Sequence, residues 1–274
     1  MTIKEYLLEL KKYSPYDFSE YSDNSIQRRL QKVMDLYELT LEQLHAKTLA
    51  DPNFVEQLVN DITVNTTEFF RDSDVWVEYM DIVLPTFKAK KQLKIWHAGS
   101  STGQEVYSNL MLLDHFGYLK KAQILATDIN RLVLSDASKG TYRHSTNIKN
   151  INAFEASLTE DNKIDFGKYF TVNTMADTIN INSTIKNIAV FKKNDLVKDT
   201  SPSAERFDII FCRNVLIYFN ATLQSKILKM FYDSLLPAGV LILGNHESLN
   251  GFFKTRFAKT GSFYTKNNAF HFKY

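Results

Sequence analysis

The sequence predicts an α/β fold: a parallel sheet covered by helices, preceded by an all-helical domain and interrupted by a small antiparallel β insertion. Three observations carry this. Through residues 1–80 apolar positions recur at three- and four-residue spacing, in YLLELKKY, SIQRRLQKVMDLY, LEQLHAKTL and PNFVEQLVNDI, with no strand pattern among them. From Leu93 short apolar runs alternate with helical ones, the rhythm of βαβ units and a parallel sheet. Between Thr141 and Asn194 that rhythm lapses into Asn- and Thr-rich sequence whose short alternating stretches suggest small antiparallel strands.

In chain order, LKIWHAG reads as the first strand of the sheet and QEVYSNLMLLDHF as the helix after it. AQILATDI is the second strand and RLVLSDASKG the second helix. The insertion, placed at about residues 145–192, includes IDFGKYFTVNTMADTININSTIKNIAVF. FDIIFCRN then reads as a strand buried on both faces, ATLQSKILKMFYDSLL as a helix and VLILGNHES as the next strand. We divide the chain into a helical domain and linker, residues 1–80, and a sheet domain, residues 81–274.

Composition narrows the function. The 274 residues, 44% hydrophobic with nine glycines and five prolines, suit one large globular domain and a smaller one and exclude extended disorder. Thirty-three basic residues against 31 acidic leave a net charge of +2, too small a field to recruit nucleic acid or an anionic membrane. The last 24 residues carry five Lys or Arg and no acid, and read as a solvated face. A single cysteine, Cys212, inside an apolar strand argues for a reducing compartment, and the expected location is cytoplasmic. The start, MTIKEYLLELKKYS, lacks a signal-peptide core, and no stretch reaches the ~20 apolar residues that span a bilayer. The scattered His45, His97, His115, His144, His246 and His271 give no metal-ligand spacing, so no metal is expected.

Residues 207–219, FDIIFCRNVLIYF, are the most informative segment. A buried strand that stops on Arg213 and Asn214 must supply partners for both, since an unsatisfied charge or amide there costs several kcal/mol. Ligands of open α/β sheets sit at the carboxyl ends of the strands. The loop Ala98-Gly99-Ser100-Ser101-Thr102-Gly103 opens a helix near Gln104 with Glu105 in its first turn. It is a nucleotide-type cradle or, taken alone, a tight packing turn. Asp128, which ends ILATD, is placed to hold ribose hydroxyls; its other reading is a helix cap. No phosphate-binding lysine follows the loop, and a nucleoside without phosphates fits better than NAD or ATP. S-adenosylmethionine is such a ligand.

Two further patterns compete with these. Gly99 to Gly103 also fits GxSxG, and Ser101, Asp195 and His246 stand in α/β-hydrolase order, but that elbow would sit on the first strand with only helical sequence before it. In NTTEFFRD, residues 65–72, Thr66, Thr67 and Asp72 suit helix caps and Phe69 and Phe70 suit packing beneath a loop.

Together, NTTEFFRD, IWHAGSSTGQEVYS, ATDI and FDIIFCRNVLIYF, in this order and at these separations, resemble the CheR family of chemotaxis receptor methyltransferases. The likeness runs over nearly the whole chain. It implies a Rossmann-like methyltransferase sheet, S-adenosylmethionine as methyl donor with S-adenosylhomocysteine as product, and methyl esterification of glutamate side chains on the cytoplasmic helical domain of a chemoreceptor. By position it places Asn65, Thr67, Arg71, Gly99, Glu105, Asp128, Asp195, Leu196, Arg213 and Asn214 at the cofactor, and Arg71 and Tyr218 at the methyl group and incoming carboxylate. Arg28, Arg29 and Lys32 form a basic stripe that the pattern alone reads as a solvent-facing helix surface and the resemblance reads as substrate contact. The chain departs from the family at Ser100, at Gln104 and Val106 around the retained Glu105, and in TVNTMADTIN, which lacks the glycines of members that dock on a receptor's tether peptide. It is expected to act as a monomer. The alternatives are a methyltransferase-like module that senses S-adenosylmethionine and, behind it, the hydrolase.

Overall fold

The computed structural model describes residues 1–249 and 251–267. His271 and the last seven residues of the basic tail lie outside the described residues. The chain opens with four helices, α1 (Ile3–Tyr13), α2 (Asp23–Tyr37), α3 (Leu41–Ala50) and α4 (Pro52–Ile62). Their starts are written locally. Thr2 with Glu5 and Thr40 with Gln43 form capping boxes, and Asp51 caps α4 ahead of Pro52 in its first turn. Tyr6, Leu30, Leu44 and Leu58, all fully buried, close a core of their own among these helices.

After α5 (Ser73–Glu78) the sheet domain runs β1 (Leu93–Ala98), α6 (Gln104–His115), β2 (Ala122–Asp128), α7 (Arg131–Lys139), β3 (Thr141–Arg143), α8 (His144–Ser157), β4 (Phe170–Asn173), β5 (Thr178–Ile181), α9 (Ser183–Lys186), β6 (Ala189–Lys193), β7 (Phe207–Cys212), α10 (Ala221–Ser234), β8 (Leu235–Leu243), β9 (Phe257–Thr260) and β10 (Phe263–Lys266). The main sheet has the order β6-β2-β1-β7-β8-β10-β9, and β3, β5 and β4 form a separate antiparallel sheet. The pairings β6–β2, β2–β1, β1–β7 and β7–β8 are parallel, and the two pairings of β10 are antiparallel.

Both faces of the sheet are covered, so the period-2 alternation of each strand divides its side chains between two cores. Ile95, Ile209 and Phe211 face α6 and α8; Trp96, Ile210 and Cys212 face α10. The strand order reverses at β1, with β2 on one side and β7 on the other, which makes the carboxyl ends of β1 and β7 the expected ligand crevice.

Two sequence readings change here. The insertion contains α8, a 14-residue helix where only short strands were expected, and β6 at its end belongs to the main sheet beside β2. Buried Asn147, Ile151 and Phe154 do fall at helical spacing, but a polar residue at the first of these positions hides the stripe. Nor is the basic tail merely a solvated face: Phe257, Phe263 and Tyr264 are buried in the sheet's antiparallel edge, while Lys254 and Lys259 face solvent.

Phe154, fully buried, stacks on Phe70 at 4.0 Å between ring centroids. Truncation should leave a cavity beneath the linker: Phe154→Ala is expected to cost about 3–5 kcal/mol of stability, read as a lower urea midpoint at unchanged slope.

Candidate functional site

Three loops and one linker meet where the strand order reverses. The first loop follows β1. Gly99 has φ +78°, and a Cβ there would lie 2.5 Å from Cγ2 of Val215, so only glycine lets this loop approach the one after β7 so closely. The amides of Gly99 and Ser100 both donate to the Thr127 carbonyl at 2.8 Å, binding the loop to the end of β2. At that end Asp128 accepts from the Ser101 amide at 2.9 Å and from the Asn130 amide at 3.0 Å. Burial raises the Asp128 pKa, and these amide bonds oppose the rise.

The third loop leaves β7. Arg213 is 2% exposed at its side chain, and its guanidinium reaches Asp72 at 2.7 Å, Glu105 at 3.3 Å and the Arg71 carbonyl at 2.9 Å. The charge that looked misplaced at a strand end is therefore neutralised by the protein. Glu105 accepts from Nδ1 of His97 at 3.0 Å, and Nε2 of that ring accepts from the side-chain amide of Asn109, whose oxygen accepts from the Tyr79 hydroxyl. This chain holds the His97 ring in one orientation, stacked on Phe211 at 4.4 Å between centroids. Burial works against ionised Glu105, but His97 and Arg213 outweigh it and hold its pKa below the ordinary value.

The linker between α4 and α5 forms the opposite wall. Asn65, Thr67 and Arg71 line the cleft with Gly99, Asp128 and Tyr218. Asn65 is fixed through its side-chain amide to the Asn60 carbonyl at 3.0 Å, and its own carbonyl accepts from Ser101 Oγ at 3.1 Å. Asp195 and Leu196 complete the floor, and Oδ2 of Asp195 is buried without a partner among the described residues. Burial raises the Asp195 pKa as well. Tyr218 sits across from the linker; burial raises its pKa, and the neighbouring charges of Arg29 and Arg71 oppose that. Seven described non-glycine residues have positive φ, and four of them, Phe70, Asp72, Ser101 and Asn214, belong to the linker and the loops. Each such conformation costs of order 1–3 kcal/mol, strain that the surrounding contacts must hold.

The structure thus brings together Asn65, Thr67, Arg71, Gly99, Glu105, Asp128, Asp195, Leu196, Arg213, Asn214 and Tyr218 around one cleft. It separates the basic stripe, for Arg29 lines the cleft while Arg28 and Lys32 are exposed on α2. Arg213 and Glu105 are engaged with each other and with Asp72 and His97, so they frame the cleft through those contacts. The hydrolase arrangement is not formed: Ser101 Oγ donates to a backbone carbonyl, and His246 is exposed beyond β8.

Sequence reasoning missed two residues. Tyr21, from the helical domain, lines the cleft and joins Phe219 in an antiparallel bridge, flanked by bonds from the Ser22 amide to the Tyr218 carbonyl and from the Asn220 amide to the Glu20 carbonyl. No local pattern announces it. Glu247 is 8% exposed, and its carboxylate accepts from the amides of Asn214, Val215, Leu216, Ile217 and Gly244 at 2.7–3.3 Å. An acid just beyond the carboxyl end of a buried strand, the signal that singled out Asp128, was available for it.

Residues 2–63 match the family model described as CheR methyltransferase, all-alpha domain, and residues 65–264 match CheR methyltransferase, SAM binding domain. The chain is 35% identical over 244 residues to Cher3 of Pseudomonas putida, covering 87% of this chain and 85% of that one. It is 33% identical to the chemotaxis protein methyltransferase Cher2 of the same organism, over 82% of each chain, and 35% identical to chemotaxis protein methyltransferase 1 of Vibrio cholerae, over 70% and 68%. Among the described residues no helix is long and apolar enough to cross a membrane.

Removing Arg213 would leave Asp72 and Glu105 without their common cation. Arg213→Ala is expected to lower stability by about 3 kcal/mol at pH 7, measured by urea unfolding. The Glu105 contribution should be present above the ordinary glutamate pKa and lost as pH falls through its depressed value, so the variant's deficit should shrink under acid.

Proposed function

The chain belongs to the CheR methyltransferase family, and on that footing we propose that it transfers the methyl group of S-adenosylmethionine to glutamate side chains on the cytoplasmic helical domain of a chemoreceptor. The observation that carries this reading is the meeting of Asp128, Asp195, Arg71 and Tyr218 in one cleft that the helical domain helps to wall.

The residues suit the cofactor chemically. Asp128 is a half-buried carboxylate whose amide bonds use part of its accepting capacity and leave lone pairs for ribose hydroxyls. Asp195 has a buried oxygen with no partner, ready to accept from a ligand donor, and Leu196 beside it offers an apolar face to a base. The close approach at Gly99 leaves backbone, not side chain, on that side of the cleft. Asn65, Thr67 and Asn214 supply further polar groups along the walls. S-adenosylmethionine supplies an electrophilic methyl group on a sulfonium centre.

The acceptor needs little activation. A glutamate carboxylate, with a reference pKa near 4.3, is ionised at neutral pH and requires no strong base. What the chain must provide is alignment, worth up to about 7–11 kcal/mol when reacting atoms are held about 3–3.5 Å apart. Arg71, with Arg29 near it, orients the carboxylate by charge, and the Tyr218 hydroxyl donates to the oxygen that does not attack. Arg28 and Lys32, exposed on α2, present positive charge to an acidic helical partner. Each transfer removes one negative charge from the receptor surface.

Two measurements test the reading. The chain should transfer labelled methyl from S-adenosylmethionine to a receptor cytoplasmic fragment, with alkali releasing the label as expected of a carboxyl ester; absence of transfer, or an alkali-stable product, would overturn it. Within that assay Arg71→Ala should lower kcat about a hundredfold while cofactor Kd stays within about threefold. Asp128→Ala should weaken cofactor binding by about ten- to a hundredfold in calorimetry.

A further inference from the structure

Glu247 lies at the centre of a contact that none of the cofactor or acceptor chemistry uses. Its Oε2 accepts from the amides of Gly244 and Asn214 at 2.8 and 2.7 Å, and its Oε1 from Val215, Leu216 and Ile217 at 2.8, 2.7 and 3.3 Å. Four consecutive amides after Arg213 thus point at one buried carboxylate. They belong to the turn that ends β7 and leads to Tyr218, and the first of them is Asn214, whose φ of +59° is left-handed, a region that asparagine enters more readily than other residues with a Cβ but that still carries an energetic cost. Gly244 makes room for this: a Cβ there would stand 2.9 Å from both the Asn214 amide and Oε2 of Glu247. An anion receiving convergent backbone N–H groups forms charge-assisted bonds, roughly twice as strong as neutral ones.

We propose that Glu247 is a positioning residue for methyl transfer: its carboxylate holds the 214–217 turn in the one conformation that sets Tyr218 against Arg71 at the mouth of the cleft. The proposal rests on the methyl-transfer reading for its kinetic consequence only. Glu247 contacts amides and neither cofactor nor acceptor, so it acts through Tyr218. Asp128 and Asp195 stand on other strand ends, the Gly99 and Ser100 amides are bound to the Thr127 carbonyl, and all keep these anchors when Glu247 is changed; of the polar groups offered to the cofactor only Asn214 lies in the turn itself. The expected signature is therefore a split, with transfer impaired far more than cofactor affinity, since Asn214 is one contact among several.

The test uses Glu247→Gln in the full chain, because an amide keeps the shape but turns an NH2 group toward two or three backbone donors. Hydrogen exchange of the 214–217 amides should accelerate at least about tenfold while the β7 amides are unchanged, kcat should fall at least about tenfold, and cofactor Kd should stay within about threefold. Unchanged exchange, or faster exchange with wild-type kcat, would overturn the proposal. So would parallel loss of transfer and cofactor binding, the mark of general unfolding. If Glu247→Gln does not fold, Gly244→Ala, which presses on the same two atoms from the other side, should give the same split, and its absence would count against the proposal equally. Failure of the wild-type chain to methylate the receptor fragment is a distinct result that strikes the reading above, while exchange, measured without acceptor, still reads the anchor.

Discussion

A guanidinium with almost no access to water organises this site. Arg213 is attached to β7, the innermost part of the sheet, and spends its donors on Asp72 of the linker, Glu105 of α6 and a carbonyl beside Arg71. Taking an arginine out of water is costly unless its hydrogen bonds are replaced, and here that demand draws three remote segments to one point. The linker cannot wander from the cleft without exposing this charge, nor can α6 rotate without breaking the Glu105 contact. The polar chain from Tyr79 through Asn109 and His97 carries the same order into the core behind α6.

Around that fixed point the cleft is assembled from backbones in conformations that free peptides avoid. Phe70, Asp72, Ser101 and Asn214 are left-handed without being glycine, and each is braced: the Phe70 amide by Ser108 Oγ at 2.9 Å, Asp72 by Arg213, the Ser101 amide by Asp128, and the Asn214 amide by Glu247. Local strain and the buried polar contacts that oppose it coincide, as expected where ligand geometry outranks local preference.

Much of this was legible in the sequence because it is written in period and termini. The helical first domain, the alternating sheet domain and the carboxyl-end residues Asp128, Arg213 and Asn214 follow from apolar spacing and from polar groups that interrupt it. What escaped depends on contacts between distant segments. The helix α8 carries Asn147 where its buried stripe begins, and only packing against the linker aromatics defines its inner face. Arg213 announces that it needs partners, but not which ones, because Asp72 and Glu105 lie 141 and 108 residues earlier in the chain. Tyr21 shows no pattern at all, since its role arises from one isolated bridge to Phe219.

That bridge bears on how far the two family modules can be treated as interchangeable parts. The segment Glu20 to Ser22 runs antiparallel to Tyr218 to Asn220 and is bonded to it at both ends, so the helical module contributes a short edge to the very turn that carries Tyr218. A chimera joined at the boundary between the modules, near residue 64, would separate the two halves of this pairing even though the sequence junction looks clean. Grafting a relative's helical module onto this sheet domain therefore requires residues 20–22 and 218–220 to travel as a matched set, because the module supplies one strand of the pairing that shapes the Tyr218 turn.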